Sequence, residues 1–130
     1  MEMKVLTGIA KPVLDELMES GTRTIEFRSA HNINSIIDIS IEEKVFLTNK
    51  KKDDICKGTN GIIIDVQKKN ISMHHVSYSS NSIYEEHETT IARLKTKLKG
   101  LGTVKNVKKS ERKEGIIAEI EERVESYSAR

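Results

Sequence analysis

SIYEEHETTIARLKTKLKGLG, residues 82–102, is where the chain changes character, and its reading decides the fold around it. Ser82 with Glu85 three residues on forms a capping-box pattern, in which the hydroxyl and carboxylate satisfy orphan N–H groups of a first helical turn. Tyr84, His87, Ile91, Leu94, Leu98 and Leu101 recur at spacings of three and four, one stripe of an inward-packing helix. Gly100 and Gly102 fall where such a helix would close.

Upstream of that stretch the period shortens. GIIIDVQ (61–67) and ISMHHVSY (71–78) read as a hairpin joined by Lys68, Lys69 and Asn70, and SIIDISI (35–41) and KVFLTNK (44–50) as two further β-rich runs. KKKDD and CKGTNG form a polar, turn-rich connection between them. Residues 11–20, KPVLDELMES, read as a short helix with Pro12 in its first turn and Gly21 at the left-handed cap. TRTIEFR (22–28) then alternates: Ile25 and Phe27 point one way with Arg23, and Thr24, Glu26 and Arg28 point the other. Downstream, TVKNVKK (103–109) reads as a last strand. Residues 110–130 read as a C-terminal helix, with Ile116, Ile120, Val124 and Tyr127 on one side. The sum is one α+β domain, mainly β, over 1–130: a compact sheet or barrel with a short N-terminal helix and two C-terminal helices.

Composition bounds the function. At 130 residues, 36% apolar and 32% charged, the chain can bury a core and is too apolar for disorder. Seventeen isoleucines against two Phe and no Trp favour strands. A single cysteine, Cys56, excludes an internal disulfide and a zinc-binding cysteine pair, which fits a reducing, cytoplasmic setting. The apolar part of MEMKVLTGIAKPVLDE is too short for a signal peptide, and nothing reaches the length of a membrane span. Net charge is only +2, but residues 91–115 hold nine Lys or Arg against two Glu. Lys95, Lys99, Lys105, Lys108 and Lys109 are therefore candidates for phosphate contacts, the alternative being a solvated helix face. No aromatic residue is interleaved with them, so base stacking there is not expected.

The charges of TRTIEFRSAHN call for a different account. Arg28 offers a rigid fork of donors suited to phosphate or a carbonyl edge. Glu26 can accept from an exocyclic amine, or act as acid or base if burial raises its pKa. Thr24 adds a hydroxyl, and Arg23 joins the same site only from a bulge or turn. His31 and Asn32 follow at the strand's end, His31 being the candidate proton carrier. The alternative stays open that Glu26 and Arg28 pair with each other or with cross-strand neighbours. No metal site is expected: His74 and His75 are adjacent in a strand and point to opposite faces, and His87 belongs to a packing stripe. KGTNG lacks the length and following helix of a phosphate-binding loop, and Cys56 has no histidine nearby in sequence. No cofactor is implied.

LDELMESGTRTIEFR, ISIEEKVFLTN and GTNGIIIDVQ together resemble the ASCH group of PUA-like β-barrels over residues 11–78. Gly21, Arg23, Thr24, Glu26 and Arg28 match that group's first motif; the glycine of its central turn is missing, with Ile41, Glu42 and Glu43 there instead. A lysine common in the first motif is Arg23 here. The LTGI, RTIEFRSAHN, FLTN and GTNGII blocks also resemble an archaeal family, domain of unknown function 473. The first resemblance implies a small PUA-like barrel binding RNA or a nucleotide-like molecule, with Arg23, Thr24, Glu26, Arg28, His31 and Asn32 as the ligand residues. It equally admits a hydrolase of modified nucleosides or RNA with Glu26 as acid or base. Guanidinium stays charged, so Arg23 is a poor replacement for a lysine that must lose its proton. A third reading is a protein–protein adaptor docking through the C-terminal helix, and a homo-oligomer is left open.

Overall fold

The computed structural model describes residues 1–80, 83–109 and 115–123, with the backbone alone at 76, 78, 80, 83–87 and 109. In chain order the elements are β1 (Glu2–Leu6), α1 (Lys11–Ser20), β2 (Thr22–Phe27), α2 (Ala30–Ile37), β3 (Lys44–Leu47), a 3-10 turn (Lys52–Asp54), β4 (Asn60–Ser80), β5 (Ile83–Lys109) and β6 (Ile116–Arg123). The strands form one mixed six-stranded sheet in the order β2-β5-β4-β3-β1-β6, with β6 also paired to β5. The β1–β3 pair is parallel; the other pairs are antiparallel.

The first helix and β2 follow the sequence reading. Gly21 (φ +78°) sits in the left-handed cap and donates to Leu17 O, and α1 buries Leu17 against the sheet. In β2, Ile25 and Phe27 are buried while Thr24 and Glu26 are exposed.

The fold otherwise departs from the expected small barrel with two C-terminal helices. The long apolar-striped stretch is strand β5, 27 residues long, running on through TVKNVKK. Leu94 and Leu98 lie four residues apart, a spacing that fits a helical stripe and a strand face alike. The intervening residues decide: Ala92, Leu94 and Thr96 are buried, while Arg93, Lys95, Lys97 and Lys99 are exposed, strict alternation that a helix would scatter around its axis. Gly102, read as a helix end, lies inside the strand. A Cβ there would meet Ile120 Cγ2 at 2.6 Å and Ile63 Cδ1 at 3.2 Å, so its bareness admits the facing side chains.

The same ambiguity hides β6. Ile116 and Ile120 are again four apart, but Ala118 between them is buried too, and the segment pairs with β1 and β5. The adaptor helix is absent over Ile116–Arg123; Val124, Tyr127 and residues 110–114 lie outside the described residues. GIIIDVQ and ISMHHVSY are not two arms of a hairpin but one strand, β4, whose Lys68, Lys69 and Asn70 pair with Lys95, Leu94 and Arg93 after a bulge at Gln67.

The SIIDISI run was read as strand, yet its first half completes α2. Ile33 and Ile36 are buried at helical spacing, and Lys69 Nζ closes the helix by donating to the carbonyls of Ile36, Ile37 and Ile39 at 3.3, 3.1 and 2.8 Å. Strand β1, unread in the sequence, lies between β3 and β6. Two apolar clusters result: one, with Ile25, Ile36, Leu47, Ile64 and Leu94, lies under the helices, and the other holds Met3, Phe46, Ile63, Val104 and Ile120. Among the described residues, no helix is long and apolar enough to cross a membrane.

Candidate functional site

The cleft beside β2 begins with how β1 ends. Thr7 follows the strand and is buried, and Gly8 (φ +68°) turns the chain through a left-handed conformation that glycine adopts without strain. Gly8 N–H donates to Lys50 O at 2.8 Å and Ile9 N–H to Thr48 O at 3.1 Å, so LTGI is pinned to the loop after β3. Asn49 Nδ2 closes the join by donating to Ile9 O at 2.7 Å.

From the other side α2 presents Asn32, which is buried. Its Oδ1 accepts from Thr7 N–H at 3.0 Å and its Nδ2 donates to Thr7 O at 2.9 Å. The side-chain amide thus serves Thr7 as a neighbouring strand would, satisfying both main-chain groups. One position earlier, His31 Nε2 lies 2.6 Å from Thr7 Oγ1. Thr7 itself is thus held by α2, while the residues on either side of it, Leu6, Gly8 and Ile9, are held by the loop after β3.

The space above is a cleft of ≈ 660 Å³. Ala10, Val13, Ile25 and Phe27 give it apolar wall; Arg28, His31, Lys51, Lys52 and Asp53 give it charge and hydrogen-bonding capacity. Glu26 stands at the rim. Its Oε2 accepts from Arg28 Nε at 3.0 Å, and its Oε1 from Nη2 of the cross-strand Arg93 at 2.9 Å. The hydrogen bond from Arg28, with the charges of both arginines, holds the exposed carboxyl below the usual carboxylate range. Glu26 is therefore a settled anion and a weak base, poorly suited to giving up or taking a proton near neutrality.

Of the residues picked from sequence, Glu26, Arg28, His31 and Asn32 line this cleft, whereas Arg23 and Thr24 do not. Arg23 turns with the buried face of β2 toward α1 and pairs with Glu16, its Nε buried without a partner. Thr24 is exposed on the opposite face. Asn32 has both amide ends committed to Thr7, which makes it a positioning residue. Sequence reasoning missed Thr7, Lys51 and Lys52 as cleft residues and Arg93 as the second partner of Glu26. A period-two reading of residues 91–99 would have revealed Arg93.

The five lysines expected to contact phosphate do not share a patch. Lys95 and Lys99 lie on the outward face of β5, and Lys99 Nζ pairs with Asp65 at 3.2 Å. Lys105 occupies a bulge opposite β6. Lys108 Nζ bonds Glu2 Oε2 at 2.9 Å, a hydrogen bond that raises its pKa. The Lys109 side chain lies outside the described residues. His74 and His75 each face a serine hydroxyl at 3.3 Å, and among the described residues no three His, Cys, Asp or Glu converge as metal ligands.

The family described as "Protein of unknown function (DUF473)" matches residues 1–118. Of the two resemblances read in the sequence, this is the second. Among solved structures the chain is similar to the N-terminal domain of Mycobacterium avium complex Lon protease, with a TM-score of 0.58 and 9% identity. The alignment covers 98% of this chain and 57% of that one, and at such identity the likeness is one of fold alone. No curated protein matches.

Proposed function

The chain belongs to the DUF473 family of unknown function, and we propose that it binds a nucleotide-like ligand, a heterocycle carrying phosphate, in the cleft beside β2. The observation that carries this reading is the make-up of the cleft. Its ≈ 660 Å³ is ample for a nucleotide, with apolar wall at Val13 and Phe27 for a ring. Arg28, Lys51 and Lys52 at the rim suit a phosphate, Arg28 by its forked donors and the lysines as point charges. Binding rather than turnover is favoured because Glu26, which with Asp53 supplies the carboxylates lining the cleft, is held as a counter-charge by two arginines.

The test is an amide-resolved NMR titration with adenosine 5′-monophosphate and with adenosine. Shifts should centre on residues 7–10, 28–32 and 51–53, stronger for the phosphorylated ligand. The triple variant Arg28→Gln, Lys51→Gln, Lys52→Gln should lose that difference. Absence of shifts at about 1 mM ligand, which marks binding weaker than about 4 kcal/mol, removes the reading.

One contact favours a second reading, a hydrolase. The 2.6 Å pair of Thr7 Oγ1 and His31 Nε2 is a hydroxyl beside a base within the cleft. Thr7 is only 3% exposed, so an incoming ester must first reach it. Turnover of a nucleotide phosphodiester that is abolished by His31→Gln but kept by Glu26→Gln would establish this chemistry.

A further inference from the structure

The outward face of the sheet at its β2–β5–β4 end carries a feature the cleft does not use. Strand alternation sends Arg93, Lys95, Lys97 and Lys99 out on one side of β5. Residues two apart along a strand are separated by about 6.7 Å. That step is close to the distance between successive phosphates of an extended polynucleotide strand. Lys68 of β4 stands directly opposite Lys95, and Thr24 of β2 flanks Lys95 on its other side.

Two like charges placed directly opposite destabilise a sheet. The chain supplies carboxylates on either side of this row: Glu26 takes Arg93, and Asp65 takes Lys99. Asp65, which pairs with Lys99, also stands directly opposite Lys97. Lys68 and Lys95 face each other, and neither makes an ion pair with a carboxylate among the described residues. The Lys68–Lys95 pair is the like-charged contact of this face, and a polyanion laid over it would neutralise both. No aromatic side chain is described on these rows, so the surface offers charge and hydroxyls but no stacking platform.

We infer that this face, centred on Lys68, Lys95 and Lys97, binds the phosphate backbone of a single-stranded polynucleotide without regard to base sequence. The inference stands apart from the cleft: either site can fail without the other. Arg28, which borders both, gives a strand lying on β5 a route toward the cleft mouth.

The experiment uses fluorescence anisotropy with oligo(U) and oligo(dT) about twelve nucleotides long, over a series of salt concentrations. Poly-glutamate serves as a phosphate-free polyanion. Three proteins are compared: the wild type, the strip variant Lys68→Gln, Lys95→Gln, Lys97→Gln, and a charge-matched variant Lys11→Gln, Lys57→Gln, Lys105→Gln. All three should give the same circular dichroism, since every changed residue is exposed. Each lost phosphate contact on a single strand lowers the slope of log K against log salt by about 0.7, so the strip variant should lose about 2 from the wild-type slope. The charge-matched variant should keep that slope, and the tighter of the two oligonucleotides identifies the polymer served. Equal losses in both variants would reduce the effect to overall charge and overturn the inference. Poly-glutamate binding as tightly as either oligonucleotide would overturn it in favour of an acidic protein partner, and no wild-type binding at low salt would end it outright.

Discussion

Replacing Asn32 by alanine tests whether the cleft floor is built as described. The Asn32 side chain is 4% exposed and satisfies both main-chain groups of Thr7, at 3.0 and 2.9 Å. Truncation leaves a buried N–H and a buried C=O without partners. Each costs about 1–3 kcal/mol, and partial rehydration through the open cleft brings the pair to about 3 kcal/mol in all. For a chain of this size each kcal/mol lowers Tm by roughly 3–4 °C, so a fall of about 10 °C is expected. Urea unfolding followed by circular dichroism gives the free energy directly, with the slope unchanged if only the native contact is lost. Asn32→Asp separates hydrogen bonding from packing. Its carboxylate keeps an acceptor for Thr7 N–H but turns an anion toward Thr7 O, so at neutral pH it should destabilise at least as much as alanine. An Asn32→Ala protein within about 1 kcal/mol of wild type would refute the claim that this amide holds α2 to the end of β1. Shifts induced by adenosine monophosphate at residues 7–10 should weaken in parallel, since the floor of the site would no longer be held.

Other outcomes follow from single contacts. Glu26 is held below its ordinary value of 4.5 by Arg28 and Arg93, so its ion pairs contribute stability above that pH and lose it as pH falls through the depressed folded value. Wild type should therefore exceed Glu26→Gln in stability at pH 7, and the gap should close in acid; thermal melts of both across that range would show it. Gly102→Ala forces a methyl against Ile120, Ile63 and Phe46 and should cost about 1–3 kcal/mol. Gly61→Ala should cost more, because its Cβ would run into the Leu47 carbonyl, backbone that cannot swing aside, as well as the Phe46 ring. Comparative melting of the two glycine variants checks that order.

What could be read from the chain depended on whether a segment's pattern belonged to one period alone. TRTIEFR is short, alternates without exception and follows a capped helix, so its strand and its buried face were both legible. Residues 91–101 and 116–120 carry leucines and isoleucines four apart, a number that satisfies helix and strand alike. Only the small or polar buried residues between them, Thr96 and Ala118, break the tie. Isoleucine abundance misled in the opposite direction at residues 35–37, read as the start of a β-rich run but lying in α2. β-Branched residues there sit in a helix because Lys69, from a strand far along the chain, caps its carbonyls. Tertiary contact of that kind overrides local propensity and leaves no local trace.

The site was legible by half for a related reason. Glu26, Arg28 and His31 are close in sequence, and their chemistry announces itself by residue type. Thr7 is an ordinary threonine until Asn32 folds onto it and the Thr48–Lys50 loop pins its neighbours, and Lys51 and Lys52 pass for solvated loop until the same join carries them to the rim. Arg93 went unseen because a helical reading of its segment points it nowhere in particular. As a strand residue it lies opposite Glu26, and that register changes the meaning of the carboxylate. A lone Glu beside Arg28 reads as an acid–base candidate; the same Glu between two arginines is spent as a counter-charge. The misread period at residues 91–99 thus also hid the cross-strand partner that decides between the two readings of Glu26 left open in the sequence. Correcting it shifts the weight from a reacting carboxylate to a rim of cations.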